Sequence, residues 1–395
     1  MDPVDNPYTP GAGARPYELV GRAAQIEAFD IALARAELRR PAQSKVLHGL
    51  RGVGKTVLLR ELAAHARARH WIVVSVEAKT GEVLLPTLTR EIFKELRNAS
   101  RTWSGAAIAW ARRVFTSFSM KADPGTGSYT FGMEVEPARG WADSGDLDRD
   151  LAEMFHELAV LAGEHGVGLF LAIDELQEVE PATLAALNTT VHTLGQGSEP
   201  LPFLMVGAGL PSLRGILAEA TSYAERLYEY WHVDRLDEAF ADAALANPAA
   251  DLAVTWDSDA LTRARTFTHG YPFFIQVLGQ HAWDLALGPT ITERDAIDAI
   301  ADAQNEVDSG LYASRWQRAT RAEQRLMQAI AVCAPEGGGA RMSDLVVAMD
   351  KERVSQLSPA RSNLIAKGLV YAPDRGELAF TVPGMAPFAA RQVIT

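Results

Sequence analysis

Among the 395 residues, the run Gly49-Leu50-Arg51-Gly52-Val53-Gly54-Lys55-Thr56 narrows the possible folds more than any other stretch. It fits the pattern G-x-x-x-x-G-K-[ST] and stands where that pattern works, after an apolar strand from Lys45 to Gly49 and before helical spacing that runs from Val53 to about Arg69. Glycine at 49, 52 and 54 lets the backbone curl so that successive N–H groups point inward at phosphate oxygens. The helix beginning near Lys55 adds its positive end. Lys55 is then placed to reach the β and γ phosphates of a nucleotide, and the Thr56 hydroxyl to ligate Mg2+, which prefers octahedral oxygen coordination. The phosphate contacts are expected from Gly49, Leu50, Arg51, Gly52, Val53, Gly54, Lys55, Thr56 and Val57. A plain glycine-rich turn would account for the glycines but not for their place between strand and helix.

A second element has to hold the metal from across such a site. Leu169-Phe170-Leu171-Ala172-Ile173 is a continuous apolar strand that ends in Asp174-Glu175, about 120 residues after the loop. Asp174 is expected to bind Mg2+ directly or through water, and Glu175 to orient and deprotonate the attacking water. Carboxylates also close strands as simple turn residues, so the pair gains its meaning from the loop upstream.

The chain around these motifs divides into four parts. Residues 1–16, with Pro3, Pro7, Pro10 and Pro16 and a Gly-Ala-Gly stretch, read as a flexible arm. Residues 17–231 alternate strands and helices: helix 21–40, strand 45–49, helix 53–69, strand 71–76, helix 84–97, helix 146–164, strand 168–173, helix 181–194 and strand 202–206. This predicts an α/β core with a parallel sheet and helices on both faces. An insertion near 103–140 carries Trp103, Trp110, Val114, Phe115 and Phe118 at helical spacing. A turn signal at Asp123-Pro124-Gly125-Thr126-Gly127 comes next, and Phe118 to Lys121 could pair with Tyr129 to Val135 as a hairpin. Residues 232–319 read as an all-helical unit and 320–395 as a third unit. The latter has helices near 321–334, 343–349 and 354–367, then two short strands, 368–371 and 377–382, joined by Asp374-Arg375-Gly376.

With these motifs in place, the chain resembles the AAA+ and STAND branch of P-loop ATPases, in particular bacterial and archaeal members with an origin-recognition-like core and a C-terminal winged helix. The likeness covers roughly Leu19 to Phe388. It implies ATP and Mg2+ as ligands, an α/β P-loop core, a helical lid and a winged helix. Leu19-Val20-Gly21-Arg22 looks like the family's N-terminal box, which packs near the adenine and brings Val20, Gly21 and Arg22 to the nucleotide. Tyr223-Ala224-Glu225-Arg226-Leu227 resembles the segment that carries an arginine finger; Arg226 either neutralises γ-phosphate charge or makes an ordinary surface salt bridge. Gly270-Tyr271-Pro272 looks like the glycine-x-proline element with which STAND lids touch the nucleotide, although a proline also simply starts a helix. The family usually ends the strand after the carboxylate pair in a polar residue, and Val206-Gly207-Ala208-Gly209 has none. If helix 354–367 is a recognition helix, Lys351, Arg353, Arg361, Lys367 and the wing residue Arg375 would meet phosphates, with Ser362 or Asn363 at base edges. Winged helices also dock proteins.

Composition bounds the remaining choices. Thirty-eight basic against fifty acidic side chains leave a net charge of -12, which excludes broad coating of nucleic acid. From Arg321 onward the balance reverses, with nine basic and seven acidic side chains, so a small DNA contact there stays open. The only cysteine, Cys333, cannot form an intrachain disulfide and reads as core. No secretory signal or membrane span is legible, so a cytoplasmic protein without membrane partners is expected. No N-K-x-D-like segment favours guanine. Three readings remain: an ATP-hydrolysing switch that couples nucleotide state to a winged helix; a non-hydrolysing, ATP-dependent DNA-binding or docking regulator; and an oligomeric defence or signalling ATPase with protein partners, a homo-oligomer being required where a finger acts in trans.

Overall fold

The structure, a computed structural model, describes all residues except 12, 100–104, 123–137, 139, 141, 196–199 and 395. The apolar runs of the first 232 residues become five parallel strands: β1 (Ser44–His48), β2 (Ile72–Glu77), β3 (Leu169–Asp174), β4 (Phe203–Gly209) and β5 (Tyr228–His232). Their order is β2-β3-β4-β1-β5. β3 and β4 are buried along their whole length, as continuous apolar strands are when helices cover both faces. β5 was not expected. It is a five-residue edge strand with polar and aromatic side chains, paired with β1 alone, so it lacks the apolar run that marks the inner strands.

Helices α1 (Ala23–Glu37) and α2 (Lys55–Ala68) cover one face, where Phe29, Leu33, Leu58 and Leu62 pack on Phe170 and Val206. The other face is covered by α3 (Leu84–Ala99), α4 (Gly105–Ala122), α5 (Leu147–Glu164) and α6 (Pro181–Gly195). Asp146 caps α5 by accepting from the N–H groups of Asp148 and Arg149. The residues expected as one arm of a hairpin, Phe118 to Lys121, belong instead to α4. Ile108, Ala111, Phe115 and Phe118 recur at three- and four-residue steps and are all buried, which carries the helix through them. Trp103, the Asp123 to Gly127 turn and Tyr129 to Val135 lie outside the described residues. Two short helices, α7 (Leu213–Ala220) and α8 (Ala224–Leu227), connect β4 to β5.

Beyond the sheet, α9 (Glu238–Ala250), α10 (Ser258–Thr268), α11 (Pro272–Leu285) and α12 (Glu293–Val307) form a helical unit. It is not wholly helical: β6 (Thr255–Trp256) and β7 (Thr290–Ile291) pair in parallel just before α10 and α12. Each is two residues long, too short to carry a period. After a π-helical turn, Asp308–Tyr312, and α13 (Ala313–Gln317), the chain enters α14 (Arg321–Cys333), whose N-cap Thr320 forms a reciprocal capping box with Glu323. The C-terminal unit then continues with β8 (Ala340–Arg341), α15 (Met342–Ala348), α16 (Ser358–Ala366), β9 (Val370–Tyr371), β10 (Glu377–Phe380) and α17 (Met385–Arg391). Its three strands form an antiparallel sheet in the order β8-β10-β9. α16 is shorter than the expected 354–367 helix, because 354–356 form a separate 3-10 turn and Pro359 sits in its first turn. One apolar core runs without a break from Trp283 through Tyr312 and Trp316 to Leu326 and Phe388.

The N-terminal arm is docked rather than flexible. Tyr8 is 2% exposed and sits in the core of the helical unit, its hydroxyl donating to the Leu245 carbonyl and accepting from Trp256 Nε1 at 3.0 Å. Asn6 donates to the Gln280 carbonyl and Trp283 Nε1 to the Asp2 carbonyl. Further along, Arg15 pairs with Glu61 of α2 at 3.1 Å, and Arg60 donates to the Gly13 carbonyl. Pro3 opens a short 3-10 turn, Pro3–Asp5, and the buried Tyr8 with the polar contacts of Asp2 and Asn6 ties the arm to the helical unit.

Candidate nucleotide-binding site

The phosphate loop is set by close backbone packing. Gly49 continues β1 by donating to the Gly209 carbonyl at 3.2 Å, and a Cβ at this position would lie 2.0 Å from the Val233 carbonyl oxygen. Gly54, the residue before α2, has φ of +92°, a conformation that disfavours any side chain. Lys55 is buried, and its Nζ donates to the Gly49 and Leu50 carbonyls at 3.0 and 2.7 Å. Burial pushes this ammonium down to about 8, against the opposing pull of Glu175 and Asp174. A partly desolvated cation tethered to the loop gains from a phosphate brought alongside it.

β4 lies between β1 and β3, so the loop after β1 and the carboxylates after β3 face each other across one strand's end. Asp174 is buried, which raises its carboxyl above the ordinary range. The Thr56 hydroxyl and the Glu175 N–H, at 2.9 Å, act in the opposite direction. Glu175 has φ of +50°, an unfavourable backbone region for a residue with a Cβ and one that collects at functional sites. Its carboxylate is doubly held, by Arg51 Nη1 at 3.0 Å and by Gln177 Nε2. Gln177 Oε1 in turn accepts from the Leu210 N–H at 3.0 Å. The end of β4, which offers no polar side chain, is thus linked to Glu175 through Gln177. Neither Arg51 as a partner nor Gln177 was legible as such; the proximity of Gln177 to Asp174-Glu175 in the chain was the only hint.

The loop from Arg51 onward and the Asp174-Glu175 pair line one cavity of about 460 Å³, within the usual size of a ligand pocket. Arg51, Gly52, Val53, Gly54, Lys55, Thr56 and Val57 form its floor, and Asp174 and Glu175 one wall. Val20 and Arg22 stand opposite, the latter buried and donating to the Val53 and Asp234 carbonyls. From the helical unit come Tyr271 and Pro272, and the Phe273 N–H reaches the Gly52 carbonyl at 3.2 Å. Gly21, Gly49, Leu50 and Gly270 support the walls without lining the cavity; Gly270, for instance, accepts from the Leu236 N–H at 2.8 Å. The C-terminal unit closes a further side through Val382 and Pro383, while the Arg51 N–H donates to the Thr381 carbonyl at 3.0 Å. Thr9 and Gly13 of the docked arm complete the rim.

The donor set fits a nucleotide with Mg2+. Among the described residues, the buried Nε atoms of Arg51 and Arg315 have no acceptor, as expected where an anion is to be received. Among the described residues no group of three or more His, Cys, Asp and Glu side chains is arranged to hold a metal, so a cation between Thr56 and Asp174 would take the rest of its shell from phosphate and water.

The other expected residues lie elsewhere. Arg226 lines a separate groove with Gln43, His192 and Tyr223, and its carbonyl accepts from Gln43 Nε2. In the C-terminal unit Arg353, Ser362, Asn363 and Arg375 are exposed and Arg361 is half-buried. Lys367 turns inward: its Nζ bonds the Glu323 carboxylate, which is 1% exposed, and the Arg318 carbonyl at 3.0 Å. No helix among the described residues is long and apolar enough to cross a membrane.

Residues 18–206 match the family model described as the AAA ATPase domain, and residues 309–389 match a domain of unknown function, DUF8462. None of the curated proteins matches the chain. Among solved structures it is similar to the Walker-type ATPase PABY2304 of Pyrococcus abyssi, with 16% identity, 95% of this chain and 97% of that one covered, and a TM-score of 0.59. The ORC2 protein of Aeropyrum pernix, in its ADPNP–ADP complexes, shares 15% identity over 96% of this chain and 94% of its own, with a TM-score of 0.54. At these identities the likeness is one of fold, a P-loop core with a parallel sheet.

Proposed function

Taking residues 18–206 as an AAA ATPase domain, we propose that the protein binds ATP with Mg2+, hydrolyses it, and uses the nucleotide state to set the disposition of its C-terminal unit. One observation carries this reading: Lys55, Thr56, Asp174 and Glu175 all line a single cavity to which the N-terminal segment, the helical unit and the C-terminal unit also contribute walls. The loop N–H groups and Lys55 hold the phosphates. Thr56 and Asp174 hold Mg2+, which when bound neutralises phosphate charge. Glu175 orients and deprotonates the attacking water, and its ion pair with Arg51 has to open for the carboxylate to act as a base. Arg226, which lines a groove separate from the cavity of its own chain, serves as a finger toward a neighbouring copy. The C-terminal unit acts as a winged helix that touches DNA through Arg353, Arg361, Arg375, Ser362 and Asn363.

The test is phosphate release by wild type and Glu175→Gln, with and without duplex DNA. Glu175→Gln is expected to keep ATP binding and lose turnover by about 100-fold or more. Equal turnover would end the assignment of Glu175. A second reading, an ATP-binding regulator that does not hydrolyse, is favoured by the apolar end of β4 and by the occupied carboxylate of Glu175. Absence of phosphate release under every condition, with ATP binding intact, would select it.

A further inference from the structure

We propose that the N-terminal arm belongs to the nucleotide site: anchored on the helical unit and latched to α2 at Gly13 and Arg15, it is a strap that must come off α2 for a nucleotide to enter or leave. This rests on the ATP-binding reading above and adds to it a control on exchange from outside both the phosphate loop and the carboxylate pair.

The arm runs backward along α11. Trp283 Nε1 donates to the Asp2 carbonyl at 2.8 Å, Asn6 Nδ2 to the Gln280 carbonyl at 3.1 Å, and the Thr9 N–H to Gln276 Oε1 at 3.0 Å. Among these contacts the Tyr8 ring lies so close to α11 that a Cβ on Gly279 would meet it at 2.4 Å. The chain then crosses to α2. There the Gly13 carbonyl accepts from Arg60, and Arg15 pairs with Glu61 at 3.1 Å. Gly13 has φ of +69°, and a Cβ on it would come within 2.9 Å of both the Thr56 methyl and the Arg60 guanidinium, so glycine is what lets the arm lie flat on the first turn of α2. Thr9, Gly11, Gly13 and Ala14 line the same cavity as Lys55 and Asp174.

Length turns this crossing into a constraint. From Thr9 on α11 to Gly13 on α2 the chain can span about 14 Å at most. Both helices contribute walls to the cavity, α11 through Pro272 and Gln276 and α2 through Thr56 and Arg60. Neither can swing away from the other to free a nucleotide without breaking one of the arm's two attachments. The two differ in strength. At the helical unit Tyr8 is 2% exposed, and its hydroxyl donates to the Leu245 carbonyl and accepts from Trp256. At α2 the polar attachments among the described residues are the Arg60 contact to the Gly13 carbonyl and an ion pair whose arginine side chain is 75% exposed, a kind that is weak in water. The α2 end therefore opens first, and the strap leaves with the helical unit.

The experiment uses the full chain, loaded with radiolabelled ADP and Mg2+ and chased with excess unlabelled ADP. Neither Arg15 nor Glu61 lines the cavity, so changing them leaves the nucleotide contacts in place. Arg15→Glu, which sets two carboxylates against each other, is expected to speed release about three- to tenfold, and the swap Arg15→Glu with Glu61→Arg to bring it back to within about twofold of wild type. An unchanged rate in Arg15→Glu, or a faster one that the swap does not correct, would overturn the latch. The converse variant locks the strap. With the only cysteine removed as Cys333→Ser, Arg15→Cys and Glu61→Cys joined by a short bismaleimide should release ADP at least about tenfold more slowly than the same protein capped at each thiol by N-ethylmaleimide. Equal release from joined and capped protein would overturn the proposal. If the charge swap does not fold, by circular dichroism and melting, the cross-link carries the test. A wild type that retains no ADP would remove the ATP-binding reading and this inference together, whereas ADP bound by every variant and released at one rate would remove the strap alone.

Discussion

Gly49 and Glu175 show how much of the site depends on single positions. A methyl group at residue 49 would meet the Val233 carbonyl oxygen at 2.0 Å, and a backbone atom cannot swing aside as a flexible side chain can. Gly49→Ala is therefore expected to cost at least about 1–3 kcal/mol, the usual range for overpacking, and to lower the melting temperature. A melting temperature equal to wild type would show that the loop yields at no cost. Lys55→Ala removes a buried cation that already sits against the loop carbonyls, and calorimetry should find tight nucleotide binding lost. Wild-type affinity in that variant would refute the phosphate role. The motif residues were legible because their spacing along the chain is itself the requirement. Arg51–Glu175 and Gln177–Leu210 were not, since each depends on side-chain directions that only the folded turn after β3 defines.

At the level of elements, local pattern was a good guide wherever a helix or strand is long enough to show its period. α2, α5, β3 and β4 fall close to where spacing and caps put them. The hairpin arm expected at Phe118 to Lys121 is helical instead: the turn signal at Asp123 to Gly127 suggests a strand before it, whereas the three- and four-residue steps through Phe118 carry α4 to Ala122. The docked arm is the larger departure. Truncating a buried aromatic costs about 3–5 kcal/mol, so Tyr8→Ala should shift the urea midpoint markedly. Tyr8→Phe, which leaves the Leu245 carbonyl and Trp256 Nε1 without their partner, should cost about 1–3 kcal/mol. An arm that merely trails in solvent would make both variants neutral.

Across the whole molecule, the prediction concerns assembly. Arg226 lies outside the cavity of its own chain, so a finger there needs a second copy. Lys55→Ala and Arg226→Ala proteins, each expected to be inactive alone, should recover part of the turnover when mixed, because mixed assemblies contain an intact loop facing an intact arginine. No recovery at any ratio, with light scattering showing one size in ATP, ADP and no nucleotide, would leave Arg226 a surface residue. Net charge reads differently at this scale too. The acidic excess belongs to the first 320 residues, while of the C-terminal basic residues Arg353 and Arg375 stay exposed and Lys367 is spent on Glu323. Any DNA contact then rests on few phosphates and should weaken as salt rises. The phosphate loop, the carboxylate pair, the α/β core and the run of helices beyond it are legible in chain order, because each is a local pattern whose period or spacing is its physical cause. Only the tertiary structure sets β4 between β1 and β3, builds the N-terminal arm into the helical unit, and brings the Thr381 carbonyl to the phosphate loop. Those are meetings of residues far apart in the chain, set by which apolar faces bury each other, and no local window contains both partners.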